Sequence, residues 1–272
     1  MQVKLYTYPD KRPDFILRQK KSIDFFLKDE FEYIVMNNGS SRELRNEIET
    51  ICLSNGIKHI FVDTPNHSDP AIACAYPINQ SLDRFIKKDS DTQVSVIIDS
   101  DMFFLKPFSI INYIGTCEIA GIKQIKNHVN YIWNGIVFIN HKTIIDIQNL
   151  DFGYDNIEGN QTDVGGNMYY YFKSHPICNL KNILHTSHIH PKNKNLKVFP
   201  PEILTEYNFE FCFELIEKTI LHYGRGSNWD KMPKDYHENK TVFLDKLLDM
   251  AYLNNLILPN FEFVFSQDCW KK

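Results

Sequence analysis

An α/β fold on a mostly parallel central sheet, with helices on both faces, is the class this sequence predicts. Apolar, β-branched runs recur at residues 3 to 8, 32 to 36, 58 to 62 and 94 to 98. Segments with helical spacing of apolar residues separate them, at 14 to 27, 41 to 54 and 70 to 87. Strands alternating with helices of that length favour parallel pairing, because a parallel pair needs a long crossover. A chain of 272 residues that is 43% hydrophobic and 14% aromatic also has ample material for a buried core.

Each element has a local reason. Val3 to Tyr8 reads as a strand that starts almost at once after Met1, and Asp14 to Leu27 as the first helix. Glu32 to Met36 is the second strand. The second helix, Ser41 to Ser54, has Ser40 or Ser41 as its N-cap, since a serine hydroxyl can accept from a free amide of the first turn. Lys58 to Val62, Pro70 to Lys87 and Val94 to Ile98 complete the alternation. Beyond residue 105 the pattern changes to strands at 118 to 123, 135 to 140 and 219 to 223, a Gly-rich stretch at 153 to 166, and helices at 162 to 172, 208 to 218 and 241 to 255. No repeat or low-complexity linker divides the chain, so residues 1 to 272 are expected to form a single domain.

Composition narrows the function classes. A net charge of −4, with basic residues only in short pairs such as Lys20-Lys21 and Lys87-Lys88, leaves no footprint for nucleic acid. No apolar run approaches the roughly 20 residues of a membrane helix, and no signal-peptide core follows Met1. The six cysteines are scattered without a C-x-x-C pair, as reduced structural thiols are. A soluble, cytoplasmic protein is the expectation.

Two stretches carry chemistry. Asp99-Ser100-Asp101 closes the fourth strand, and two carboxylates at a strand end suit a hard divalent cation such as Mg²⁺ or Mn²⁺, whose shell substrate phosphates often complete. A helix cap or turn is the structural alternative. The tripeptide alone says little, because Asp89-Ser90-Asp91 repeats it ten residues earlier in a polar stretch that reads as a solvated loop. Ligands of open α/β sheets sit beyond the carboxyl ends of the strands, where Thr7-Tyr8 and Asn37-Asn38 also lie. The second stretch is the strand end at His222, followed by Gly224-Arg225-Gly226-Ser227-Asn228. The imidazole suits a Mn²⁺ shell, and the loop offers a cation and hydrogen-bond donors to a diphosphate; a structural histidine is the alternative.

These blocks, together with Trp133-Asn134-Gly135 to Asn140 and Gln161-Thr162-Asp163, resemble in order the motifs of metal-dependent glycosyltransferases of the GT-A, Rossmann-like fold, most closely the glycogenin-like and galactosyltransferase group. The likeness spans residues 3 to 230. It implies a nucleotide-binding half over 1 to 105, and an acceptor-binding half with a C-terminal helix over 106 to 272. By position it makes Asp99, Asp101 and His222 the Mn²⁺ (or Mg²⁺) ligands. It places Ser100 and residues 224 to 228 at the donor, and Thr7, Tyr8, Arg12 and Asn37 around the nucleoside. Arg84, beside Asp83, falls near the donor sugar, with a solvated helix face as the alternative.

Asn134 matches a position lining the sugar or acceptor side, although Asn before Gly135 is also a turn signal. Gln161 and Asp163 look similar to an acceptor-side Asp-Gln segment in altered order, which leaves the role of Gln161 open; Asp163 serves either as base or as helix cap. The implied reaction moves a hexose from a nucleotide-diphosphate sugar, expected to be a UDP-sugar, to a hydroxyl of a glycan, glycoprotein or other acceptor. Retention of configuration is expected, whereas Asp163 acting as general base would give inversion. His188 and His190 share a strand face, with His185 nearby, but no acidic or thiolate partner for zinc is close in sequence, so an acceptor or surface loop is expected. The competing classes are a sugar-nucleotide nucleotidyltransferase, which would want a glycine-rich loop after the first strand where residues 6 to 12 have no glycine, and a non-catalytic carbohydrate-binding protein.

Overall fold

The computed structural model describes residues 1–64, 70–185, 213–224 and 234–254. These residues form two compact units. The first comprises residues 1–16, 28–100 and 109–183, and the second residues 17–27, 101–108 and those from 184 onward.

The first unit is organised by a seven-stranded sheet. Its strands are β1 (Val3–Tyr8), β2 (Phe31–Asn37), β3 (Lys58–Phe61), β4 (Val94–Asp99), β6 (Ile119–Lys126), β7 (Val129–Asn140) and β10 (Leu180–Asn182), in the spatial order β10-β6-β7-β4-β1-β2-β3. β1 pairs parallel with β2 and β4, β2 with β3, and β6 with β10, while β7 runs antiparallel to β4 and β6. The sheet is therefore mostly parallel, as the alternation of elements requires. β1 and β4 are central, which is why Leu5, Val96, Ile97 and Ile98 are buried in near-continuous apolar runs. β3 closes one edge and is more exposed, with Lys58 in the first position, a common way of discouraging further strand pairing. A short hairpin, β8 (Asn156–Ile157) with β9 (Asn160–Gln161), precedes helix α5 (Met168–Ser174).

The caps follow the expected chemistry. Helix α2 (Arg42–Ser54) starts at Ser41, whose hydroxyl accepts from the Leu44 amide at 3.2 Å, and it buries Ile48 and Cys52. Helix α3 (Pro70–Arg84) stops three residues short of the expected end, and a 3₁₀ turn at Ile86–Lys88 follows. Helix α4 (Ile110–Ile114) is capped by Ser109 and by Asp29, which accepts from the Ile110 amide at 2.6 Å.

The second unit contains a three-stranded antiparallel sheet in the order β11 (Glu214–Ile216), β12 (Ile220–His222), β5 (Met102–Phe104). Residues 17–26 of helix α1 (Phe15–Phe26) cover the outer edge of β5. Gln19 donates to the Met102 carbonyl at 3.0 Å, and the Phe104 amide donates to Ser22 at 3.1 Å, so the buried edge keeps its hydrogen bonds. Helix α6 (Lys234–Tyr252) packs Phe243 on Phe213 and Tyr252 on Phe26, and Asp245 receives a forked pair of bonds from Arg18. The helix expected over 208 to 218 is corrected where it can be seen: residues 214 to 216 are a strand, because Glu214 and Ile216 find ladder partners in His222 and Ile220. The helix expected from Thr162 starts only at Met168, after a run of turns.

One half-buried histidine gives the fold a pH dependence. His141 bonds Ser95 at 2.8 Å, and its pKa is lowered by burial above all, against a smaller opposing pull from Asp89 and with a small assist from Lys4. The unfolded chain therefore takes up this proton more readily. The stability involved is present above the ordinary pKa of 6.5 and is lost as the pH falls through the folded value. Between about pH 7.5 and about pH 5 the wild type should lose more Tm than His141→Gln. Parallel Tm profiles of the two proteins would contradict this.

Candidate metal and donor site

The second unit holds a row of three buried ionisable side chains. In the register of the sheet, Glu214 of β11 lies directly opposite His222 of β12, and His222 lies opposite Met102 of β5. The ladder extends one step further, because the Tyr223 amide donates to the carbonyl of Asp101 at 2.8 Å. Imidazole Nδ1 of His222 is 2.7 Å from Glu214 Oε2, and Nε2 is 3.3 Å from Asp101 Oδ1. All three residues are 8–9% exposed. Burial alone would push the imidazole towards neutrality. The charge and hydrogen bond of Asp101 and those of Glu214 outweigh it, and the His222 pKa stands well above its ordinary value.

Behind this row Lys240 is fully buried. Its ammonium donates to the carbonyls of Tyr223 at 2.5 Å and Gly224 at 3.0 Å and lies 4.0 Å from the centre of the Tyr223 ring. The chain leaving His222 is thus anchored at its backbone. Arg225, Gly226, Ser227 and Asn228 lie outside the described residues, as do His188 and His190; His185 forms an isolated bridge to Ile216.

In the first unit, Asp99 is the last residue of β4 and pairs with Tyr8 at the end of β1. Asp99 and Asp101 are separated along the chain by Ser100 alone, which is buried in the turn between β4 and β5. The end of β4 shares its surroundings with Cys74, Asn134, Asp163 and Asp10. The Cys74 thiol is pushed up to about 12, by burial first and then by the charge of Asp99, with Asp163 and Asp10 adding to it. It stays protonated at neutral pH, which removes it as a nucleophile or thiolate ligand. Its sulfur accepts from the Asn134 amide at 3.4 Å.

Asn134 and Gly135 do not form a turn. They lie within β7 at a break in register: Gly121 pairs with Val137 but Ile122 pairs with Trp133, so three residues of β7 have no counterpart on β6. A bulge of this kind re-aims a side chain, and Asn134 is 2% exposed. The loop carrying Asp163 is packed close to it. Gly165, with φ +94°, lies so near β7 that a Cβ there would come within 2.0 Å of the Ile132 carbonyl oxygen. Asp163 itself is exposed, accepts from the Val164 amide at 2.8 Å and is five residues upstream of α5, so the helix-cap role considered for it does not apply. Gln161 is an exposed residue of β9, and its carbonyl accepts from the ammonium of Lys126.

The other expected donor residues divide. Thr7 is buried in β1, and the Tyr8 hydroxyl is buried beside Ser81. The Asn37 amide group donates to the Arg45 carbonyl at 2.9 Å and accepts from Gly39, a structural tie between the end of β2 and α2. Arg12 forks onto Asp14 at 2.7 Å and lies 3.7 Å over the Phe15 ring. Arg84 lines a groove with Lys4, Tyr6 and Asp89, towards the start of β1, and donates to the Phe61 carbonyl at 3.3 Å; it is not with the residues at the ends of β1 and β4. Sequence reasoning missed Glu214 and Cys74 as members of these clusters.

No protein-family profile matches the sequence, and no curated protein is similar to it. Part of the chain aligns with solved glycosyltransferases at low sequence identity. The mannosyltransferase PcManGT from Pyrobaculum calidifontis, in complex with GDP-Man and Mn²⁺, aligns with a TM-score of 0.43 at 10% identity over 66% of this chain and 54% of that one. Mouse xyloside xylosyltransferase 1 in its apo form aligns at 0.40 and 10% identity, over 67% and 85%. The galactosyltransferase LgtC, with donor and acceptor sugar analogues, aligns at 0.34 and 14% identity, over 55% and 62%. The chain spans about half the length of the mannosyltransferase it matches.

The twin tripeptide has a different place. Asp89 is bonded to Lys4 at 2.7 Å, and its pKa is lowered because bonds from Lys4, Thr92 and the Asp91 amide outweigh the cost of burial. Asp89→Asn should cost about 1 kcal/mol in urea unfolding and leave Mn²⁺ binding unchanged. Loss of Mn²⁺ binding in Asp89→Asn would show that the metal pair had been assigned to the wrong copy.

Proposed function

We propose that this protein is a metal-dependent glycosyltransferase that uses a nucleotide-diphosphate sugar, with Asp99, Asp101 and His222 as ligands of a divalent cation. The observation that carries the reading is the buried approach of His222 Nε2 to Asp101 Oδ1, two residues beyond the end of β4. Two carboxylates and one imidazole make a mixed oxygen and nitrogen donor set, which suits Mn²⁺ better than the all-oxygen shell that Mg²⁺ prefers. Such a cation would neutralise charge on the leaving diphosphate as the bond to the sugar breaks.

The residues of the chain supply position and charge around that event. In this reading Tyr8 and Thr7, at the end of β1, border the nucleoside, and Asn134, held by the bulge of β7, lines the sugar side. Asp163 is the one exposed carboxylate of its loop and is left for the acceptor hydroxyl, as a base or as a charge near the anomeric carbon. UDP as the donor nucleotide, a hexose as the group transferred and retention of configuration are parts of this reading.

Metal binding must displace the proton that His222 holds, so apparent Mn²⁺ affinity should rise from about pH 6 to about pH 8. In a thermal-shift panel of nucleoside diphosphates and nucleotide-sugars, one ligand should stabilise the protein only with Mn²⁺ present, by about 2.7 kcal/mol at 100 times its Kd. Asp101→Asn and His222→Ala should abolish both that shift and donor hydrolysis. No response to any diphosphate in the presence of metal would rule the proposal out.

A further inference from the structure

Glu214 is a carboxylate at which neither composition nor spacing points, and the fold buries it at 8% exposure. It occupies a strand position where an apolar residue would pack at no electrostatic cost, as Leu215 and Ile216 do beside it. A buried glutamate of this kind needs a reason as well as a partner. The partner is His222, opposite it in the antiparallel register, where side chains of paired residues share one face. The contact is 2.7 Å and is made to Nδ1, the nitrogen turned away from Asp101.

Neutralising His222 does not account for this arrangement. Asp101 already faces the same imidazole at 3.3 Å and is one unit of negative charge against one of positive. A second carboxylate, closer than the first and on the other nitrogen, does something Asp101 does not. With a cation on Nε2, it would make Nδ1 the nitrogen that keeps its hydrogen and would set how the ring is turned. A histidine that binds a metal through one nitrogen commonly donates its other N–H to a carboxylate or carbonyl, which sets tautomer and orientation and raises ligand basicity.

We propose that Glu214 is a positioning residue for the cation: it holds His222 with Nδ1–H directed at its own carboxylate, so that Nε2 is the lone-pair nitrogen presented beside Asp101. This inference rests on the reading of Asp101 and His222 as metal ligands. The sheet makes the row rigid on both sides. The Tyr223 amide bonds the Asp101 carbonyl, Lys240 holds the Tyr223 and Gly224 carbonyls, and the Leu105 amide bonds Thr219 at 2.8 Å across the far end of the β5 and β12 pair.

The experiment titrates the full chain with Mn²⁺ alone and reads free Mn²⁺ by electron paramagnetic resonance, with far-UV circular dichroism to establish that each variant is folded. Glu214→Gln keeps an acceptor for Nδ1–H and removes the charge; Glu214→Asp keeps the charge and withdraws the acceptor by one methylene; Glu214→Ala removes both. Positioning requires Glu214→Gln to stay within about threefold of the wild-type Kd, with Glu214→Asp weaker and Glu214→Ala weaker by about 10- to 100-fold. If Glu214→Ala does not fold, the Gln and Asp variants decide alone. Folded variants that all bind like the wild type would overturn the role of Glu214, as would Glu214→Asp binding like the wild type while Glu214→Gln binds weakly. A wild type that does not bind Mn²⁺, or an Asp101→Asn variant that binds it unchanged, would overturn the metal site itself.

Discussion

An imidazole clamped between two buried carboxylates is costly to build. Each charge taken out of water loses several kcal/mol of hydration, and only good geometry with its opposite returns that loss. In the second unit the return depends on strand register. Glu214, His222 and Met102 face one another across β11, β12 and β5, and a slip of one residue would turn His222 to the other face of the sheet. Register is in turn held by the contacts at the edges of that small sheet: Gln19 and Ser22 on β5, and Phe213 and Phe243 beside β11. The row of charges and the packing that surrounds it are therefore one device. Phe103, Leu215 and Leu221 are buried in the same sheet, and an ionisable row among them costs more than apolar packing would, so the row is a candidate functional feature.

The first unit brings polar groups to the carboxyl ends of β1 and β4 by a different route. Central parallel strands are apolar along their length and become polar only where they leave the sheet, which is where Tyr8 and Asp99 sit as a pair. β7 adds Asn134 from an antiparallel neighbour by breaking its pairing with β6, and the close approach of Gly165 to Ile132 brings the Asp163 loop against the same segment. The carboxylates at Asp10, Asp99 and Asp163 then act together on Cys74, whose thiol they help to keep protonated. The sulfur is left as an acceptor for Asn134, a packing role that also aims the amide.

What could be read in the sequence was whatever local patterning controls. The alternation of strands and helices through residue 99, the Ser41 cap and the place of Asp99 at the end of a buried strand all follow from period, capping chemistry and the apolar run before Asp99. The Asn134 bulge was not legible, because Asn-Gly signals a turn in isolation and only the longer pairing of β7 with β4 and β6 shows that the chain continues as strand. Residues 208 to 218 read as a helix from their spacing, yet 214 to 216 form β11 because the ladder with β12 decides the matter. That same misreading hid Glu214, whose meaning comes from the residue opposite and not from its neighbours in sequence. Asn37, Arg12 and Arg84 are the converse: residue types suited to a ligand, each bonded to the Arg45 carbonyl, Asp14 or the Phe61 carbonyl respectively.

The central claim is that His222 and Asp101 share a cation. It is tested most directly by diffraction from crystals grown with Mn²⁺ and a nucleoside diphosphate, with data collected at the manganese absorption edge. The expected result is one anomalous peak at coordination distance from His222 Nε2 and an Asp101 carboxylate oxygen, with the diphosphate on the same ion. A peak elsewhere, or none while the direct contact between His222 and Asp101 persists, would contradict the account.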